Sequence, residues 1–443
     1  MITYANRLIN LKESPVLSFA SVLNTSRPIV LITGPFGLPG SGAAAEHAFN
    51  VARVAFFAGY SPLLLPFSDD GRREDLEVSG RFYSWKGMPY MPAGDCTTDG
   101  SSKLETLKTY TGKRAPVLDM LRRADLSGVC AVISLKGHIG FCLRLRDFCR
   151  RKRIGMISEE VEWHDRRYSA YTLKWVSLLD MELRIRCAVP LSDGVIGISR
   201  YFERYYRGRG CRFLRLPPVL DTHDPRWKKV ESSVPRKDRL KLVMFGSVIR
   251  DRQDLIIGAV ARARAQGVNV SIEYVGRPRE EIFYSLGPRG RLIEELGGAV
   301  VFHGWVDEDR LRSIIDDADF GVLFREDARW SKACFPSRVP EYLSCGVPLI
   351  CNTFSDLGEY LHDGQNAIIV PDLSDQALAS AMIRAAGMNA ETRLKMRDRA
   401  RHCAEENFDV RKHAGPFGEF VGAVTKYLYP GILPSSRIGG SLC

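Results

Sequence analysis

Three stretches of the sequence hold residue types that could do chemistry. The first is Gly34–Gly42, GPFGLPGSG, between the apolar run PIVLIT and the helical stretch AAAEHAFNVARVAFFAG. Glycines such as Gly37, Gly40 and Gly42 let a backbone approach a ligand closely. The helix that follows would offer N–H groups and a positive dipole end to an anion. The same residues also fit a tight strand–helix turn with no ligand. The second stretch is Phe335–Cys351, FPSRVPEYLSCGVPLIC. It predicts a short helix carrying Glu341 that ends at Gly346, with Pro348 opening a buried strand. Near a helix start, Glu341 is electrostatically favoured and could accept hydrogen bonds from sugar hydroxyls. Arg338, three residues earlier, lies on the same side and could meet a phosphate, or the two could form a surface ion pair. The third is Ser158–Asp165, SEEVEWHD, after an apolar run. Glu160, Glu162, Trp163 and His164 at a strand end suit an active-site rim, or a solvated acidic turn with a packed Trp. His138, in SLKGHIG, is a weaker candidate.

These residues need elements to hold them. Apolar runs alternate with helix-length periodic segments throughout, which predicts βαβ units and largely parallel sheets. Strands are expected at Ile29–Thr33, Pro62–Pro66, Val129–Ser134, Ile154–Ser158 and Gly194–Ser199. A second series covers Lys241–Gly246, Val270–Val275, Val300–His303, Phe320–Phe324, Pro348–Cys351 and Ala367–Val370. Helices are expected at Ala43–Ala58, Leu255–Gln266, Asp307–Ala318 and Gln376–Ala386. The polar stretch DTHDPRWKKVESSVPRKDR separates the two series as a linker. The expected organisation is therefore a Rossmann-like domain over 1–220, a linker over 221–239 and a second Rossmann-like domain over 240–409. A helix over 410–429 packs back on the first domain, and a Pro/Gly/Ser-rich tail covers 430–443.

Composition narrows the function. The 443 residues are too many for one ordinary core, and 45% apolar with 26% charged residues describes a globular protein. No stretch approaches the roughly 20 uninterrupted apolar residues of a membrane span, and the N-terminus lacks the pattern of a signal peptide. The 11 cysteines have no paired spacing, which fits reduced thiols in the cytoplasm and no zinc site. The net charge of +11 calls for an anionic partner or a solvated basic face. Arg144, Arg146, Arg150, Arg151, Lys152 and Arg153 form one such cluster, without the interleaved aromatics of a nucleic-acid groove. Asp317-Ala318-Asp319 spells a DxD metal motif, but it ends an amphipathic helix and is a poor magnesium site. A dinucleotide site is weakly supported, because the glycine spacing is not GxGxxG and no acidic residue closes the second strand.

The segment PSRVPEYLSCGVPLI resembles the donor-binding signature of GT-B glycosyltransferases, particularly glycosyltransferase family 4, whose members often read PxKxxEYLAxGxPVI. On that resemblance Glu341 matches the glutamate that binds the ribose of a nucleotide sugar, and Arg338 stands where many members carry lysine. The family's second glutamate, eight positions earlier, is Ala333 here. KLVMFGSVIRDRQDLIIGAVARA is similar to the opening of the family's second domain. There Gly246 matches the glycine and Arg252 the lysine that holds the donor phosphates. Ser247 replaces a common phosphate-binding arginine, and Arg250 could supply that charge. VVFHGWVDEDRLRSIIDDADFGVLF is similar to a further family segment, which places Gly304–Val306 near the base. Glu162, Trp163 and His164 occupy the region of acceptor-side residues.

The resemblance implies α/β GT-B architecture, two Rossmann-like domains with parallel sheets facing a central cleft that holds the donor. It implies transfer of a sugar from a UDP- or GDP-sugar to an acceptor hydroxyl, with retention, in polysaccharide or glycolipid assembly. Arg252 and Arg338 would neutralise the leaving diphosphate without a metal or other cofactor. The acceptor is expected to be a saccharide or lipid-linked, with a cytoplasmic enzyme in peripheral contact with an anionic membrane at its inner face and no nucleic acid. The alternatives are a catalytically inactive nucleotide-sugar-binding protein, which Ala333 and Ser247 keep open, and a GT-B-fold epimerase or phosphorylase.

Overall fold

The computed structural model describes residues 17–19, 23, 26–40, 42–69, 77–79, 82–92, 111, 115–165, 175–229, 239–246, 248 and 250–426. They fall into two units. One comprises residues up to Glu159, Leu179–Val195 and residues from Pro416 on. The other comprises Glu160–Leu178 and Ile196–Gly415.

Within the first unit the sheet order runs from Gly194–Gly197 through Gly155–Glu160, Val129–Leu135, Ile29–Leu38 and Ser61–Asp69 to the short strands Met88–Tyr90, Phe82–Trp85 and Glu77–Ser79. The long strands pair in parallel and the last two join antiparallel. Buried Leu31, Leu63, Val132, Phe141 and Leu145 belong to its core. Several strands are longer than the sequence suggests, among them Ser61–Asp69 against an expected Pro62–Pro66. Ile29–Leu38 runs on through most of the glycine motif, so Gly37 pairs with Ser68 rather than sitting in a loop. Gly155–Glu160 takes in Glu159 and Glu160, which are buried and not a solvated turn. The closing helix, expected from 410, spans Ala414–Thr425. Its Phe420 and Val424 pack so tightly on Gly194 and Gly155 that a Cβ on either glycine would lie within 2.9 Å of them.

The second unit holds a six-stranded sheet in which every neighbouring pair is parallel. Its spatial order is Val300–Phe302, Val270–Val275, Leu240–Phe245, Phe320–Leu323, Leu349–Cys351, Ala367–Ile369. In chain order this is 3-2-1-4-5-6, the doubly wound arrangement. The strands read as apolar runs because helices cover both faces. Leu242, Met244, Ile272 and Val322 pack with Ile256, Val260, Leu378 and Met382 from the helices Gln253–Ala265 and Asp375–Gly387. Helix starts are set by local chemistry. Asp307 accepts from the Arg310 N–H at 2.7 Å, Ser374 from Ala377 at 3.1 Å and Asn389 from Thr392 at 2.8 Å. Among the described residues, no helix is long and apolar enough to cross a membrane.

One side chain docks the short helix Arg338–Ser344 on this sheet. The buried Tyr342 hydroxyl donates to the Val243 carbonyl at 3.0 Å and accepts from the Phe245 N–H at 3.3 Å. Gly321 makes room for it, since a Cβ there would stand 2.8 Å from the Tyr342 ring. Tyr342→Phe leaves a buried backbone donor and acceptor without their side-chain partner. It should lower unfolding stability by about 1–3 kcal/mol, read from urea or thermal melts of the purified protein.

Candidate functional site

Strand order locates the site. In a doubly wound sheet the crevice opens beyond the C-terminal ends of the strands where the order reverses. Here that point lies between Leu240–Phe245 and Phe320–Leu323. Residues just after these two strands therefore have first access to a ligand of this unit.

The first feature there is a ledge without side chains. Gly246 follows the strand Leu240–Phe245 at φ +74° and donates its N–H to the Val275 carbonyl at 3.0 Å. Gly276 follows the next strand at φ +86°, and its N–H reaches the Gly304 carbonyl at 2.6 Å. A Cβ on Gly276 would stand 3.4 Å from the Gly246 nitrogen, so bulk and backbone angle together call for glycine there. Gly304, at φ +64°, ends the row, and a Cβ on it would meet nothing within 4 Å. Beside it Trp305 is 80% exposed, an unusual state for so large an apolar ring.

The second feature is a knot of charge. Asp251, with its side chain fully buried, lies between two buried guanidinium groups. Arg325 Nε approaches one carboxylate oxygen at 2.8 Å and Arg338 Nη2 the other at 2.5 Å. Arg338 Nη1 also reaches the Phe245 carbonyl at 3.4 Å. Burial works to lower the Arg338 pKa, but Asp251 outweighs it and the net shift is upward. Arg338 therefore stays charged in the interior, and it is not half of a surface pair with Glu341. Glu341 is half-buried, and every other residue of its helix is buried.

Arg252 caps the helix Gln253–Ala265 and donates its backbone N–H to the Phe324 carbonyl at 2.8 Å. Its guanidinium forms a fork with Asp254 at 2.9 and 2.7 Å, and that bond raises its pKa. Unlike Arg338 it is about one-third exposed. Two residues back, Arg250 Nη2 meets Glu162 at 2.8 Å, and the His164 ring lies 3.3 Å from the same carboxylate oxygen. Trp163 is buried between Glu162 and His164, against Tyr201, Phe202 and Tyr205. Arg329 spans this group, donating to the His164 carbonyl at 2.5 Å with its guanidinium 5.1 Å from the Trp163 ring centre.

The structure thus brings Arg252, Arg338, Glu341, Gly246 and Gly304 to one end of one sheet, and it joins Glu162 and His164 through Arg250 to the Arg252 loop. Ser247 lies outside the described residues. Gly37, Gly40 and Gly42 belong to the first unit. There Gly42 is the N-cap of helix Ala43–Phe57, with open space around its Cα. Gly34 has a packing role, because a Cβ would stand 2.4 Å from the Leu135 carbonyl oxygen. His138 is not idle in the first unit. Asp180 holds its Nδ1 at 3.1 Å and also accepts the Ile139 N–H at 3.0 Å. The DxD acids sit at the opposite end of the strands of the second sheet, where the first strand begins. Asp317 pairs with Lys241, and Asp319 accepts the Lys241 N–H and faces Arg393. Sequence reasoning missed Asp251 and Arg325. Asp251 stands inside the charged run RDRQD, which gives no sign of burial.

Residues 239–387 match the model of the family described as Glycosyl transferases group 1. No curated protein sequence matches the chain. Among solved structures, sucrose-phosphate synthase from Thermosynechococcus elongatus superposes with a TM-score of 0.65 at 16% identity, over 89% of this chain and 98% of that one. HepE from Anabaena, in complex with UDP and glucose, gives 0.63 at 15% identity, over 89% and 100%. WaaG, a glycosyltransferase involved in lipopolysaccharide biosynthesis, gives 0.55 at 13% identity, over 87% and 99%. The second domain therefore matches the group 1 glycosyl transferases over residues 239–387, and the chain shares the GT-B fold of these solved structures.

Proposed function

We propose that the chain moves a hexosyl or related sugar from a UDP- or GDP-sugar to an acceptor hydroxyl, retaining anomeric configuration and needing no metal. This reading is supported by the strand order, because Arg252 and the helix bearing Glu341 belong to segments near the reversal point of the second sheet, where Gly246 and Gly276 leave backbone bare. A ligand there meets bare backbone, a partly exposed cation and a half-buried carboxylate, the three things a nucleoside diphosphate can use. Glu341 accepts from the ribose hydroxyls, and the exposed Trp305 ring offers the base a face to stack on. HepE, of similar fold, is seen with UDP-glucose at 15% identity.

In the reaction the bond from the anomeric carbon to the β-phosphate oxygen breaks and a bond to the acceptor oxygen forms on the same face. The acceptor proton passes to the departing phosphate. The negative charge that builds on the diphosphate is the main electrostatic demand. Arg252 carries a fixed positive charge at the crevice, because its bond to Asp254 holds it protonated. Arg338 adds charge from beneath without touching solvent. Glu162, His164 and Arg250 form a hydrogen-bonding group within reach of the same loop and orient the acceptor hydroxyl.

The acceptor is a saccharide or a lipid-linked sugar, handled in contact with an anionic membrane. The helix Ile139–Lys152 supports this with its basic final turn, of which Arg150, Arg151 and Lys152 are exposed. Arg146 is partly committed, donating to the Leu191 carbonyl at 2.8 Å.

UDP or GDP at about 100 times its dissociation constant should add about 2.7 kcal/mol to stability and raise the melting temperature. A screen in which no nucleotide shifts the melt would refute the donor site. Arg252→Ala should cut turnover on the order of 100-fold while the protein stays folded, in a product assay run with EDTA. Wild-type turnover in that folded variant would remove Arg252 from the mechanism. Vesicles containing phosphatidylglycerol should bind the protein at low salt and release it at high salt, whereas equal binding to neutral vesicles would count against the membrane contact.

A further inference from the structure

Arg325 is the least explained charge in the second unit. It follows the strand Phe320–Leu323, at the point where the sheet order reverses. Its backbone is clamped: the N–H donates to the Asn352 side chain at 3.0 Å, and the Asn352 amide returns a bond to the Arg325 carbonyl at 2.7 Å. Its guanidinium lies between two buried rings, 5.9 Å from Trp330 and 5.3 Å from Phe354. Nε is committed to Asp251. Nη1 is buried and has no hydrogen-bond partner.

Two facts make that nitrogen informative. Asp251 carries one negative charge and already shares it with Arg338, so that carboxylate alone does not balance both guanidiniums. A buried donor left unmade costs on the order of 1–3 kcal/mol, and more where the group is charged. A fold retains such a donor where something else supplies the acceptor. Nearby, where the family resemblance would place a carboxylate for the donor sugar, the chain has Ala333, fully buried and with its carbonyl accepting from Ser199 at 2.9 Å.

We infer that Arg325 receives a negatively charged oxygen of the donor through Nη1, either from the diphosphate or from a carboxylate on the transferred sugar. The inference rests on the donor site proposed above. Asn352, Trp330 and Phe354 fix the guanidinium, so little side-chain entropy remains to be lost when the anion arrives. An oxygen delivered there would give Nη1 the acceptor it lacks within the protein.

Calorimetry on the full chain separates the outcomes, with UDP, GDP, their glucose conjugates and UDP-glucuronate as probes. Arg325→Gln and Arg325→Lys are compared with wild type after circular dichroism and a thermal melt show them folded. If the oxygen is a phosphate, both variants bind the preferred nucleoside diphosphate on the order of tenfold more weakly, the worth of one charged hydrogen bond. If it is a sugar carboxylate, wild type prefers UDP-glucuronate to UDP-glucose by a similar factor, and the variants lose that preference while binding UDP as before. Folded variants that match wild type on every probe overturn the role of Arg325 and leave the donor site standing. A wild-type protein that binds none of the probes overturns the donor site and this inference with it. Should neither variant fold, a wild-type crystal structure with bound nucleotide decides. Nη1 at about 3.2 Å or less from an anionic ligand oxygen supports the assignment, and Nη1 out of contact with the ligand overturns it.

Discussion

The second domain turns on one carboxylate. Asp251 is fully buried and joins three stretches far apart in sequence: its own loop after the first strand, Arg325 at the end of the fourth, and Arg338 at the head of the following helix. Charges taken out of water are costly unless well paired, and removal of one partner from such a set typically costs about 3–5 kcal/mol. The cluster is therefore a device for position more than for net stability. With Asp251 fixed, Arg252 beside it is fixed as well. The end of the fourth strand cannot drift, and the helix that presents Glu341 is tied at its first residue.

The rest of the site is shaped by what is left out. The glycines at 246, 276 and 304 carry no side chains, so backbone forms the floor. Tyr342 then holds the helix above that floor by two hydrogen bonds to the first strand. Glu341 is the preceding residue of the chain, and it alone in the helix escapes burial. A tyrosine that must point into the sheet and a glutamate that must point away from it are adjacent residues, so the orientation of one dictates the other.

Much of this was legible in the sequence, for physical reasons. Strands buried on both faces read as unbroken apolar runs, and every expected strand of the second series is present within one or two residues. The small antiparallel strands between Glu77 and Tyr90 gave no such signal, being short and mixed in polarity. Ile29–Leu38 outran its expected end because a β-bulge between Gly34 and Gly37 lets a glycine-rich stretch keep pairing. Arg252 entered as a candidate through motif resemblance, and Glu341 also through the short helix that its segment spells. Asp251, Arg325 and the buried state of Arg338 were not, since charged residues read as solvated until their partners are seen. His138 seemed isolated because Asp180 is 42 positions away.

The helix Ala414–Thr425 has a consequence for how the chain can be divided. Its Phe420 and Val424 seat against Gly194 and Gly155, inside the unit that otherwise comes from the front of the sequence. The polypeptide passes from one unit to the other at four places, so no single cut separates them. A fragment ending at the polar stretch near 230 would expose two glycine-lined strands and their apolar surroundings to water. The front unit is finished by residues that follow the stretch Ile196–Gly415 of the other unit, so the ribosome must deliver that whole stretch before the first core can close.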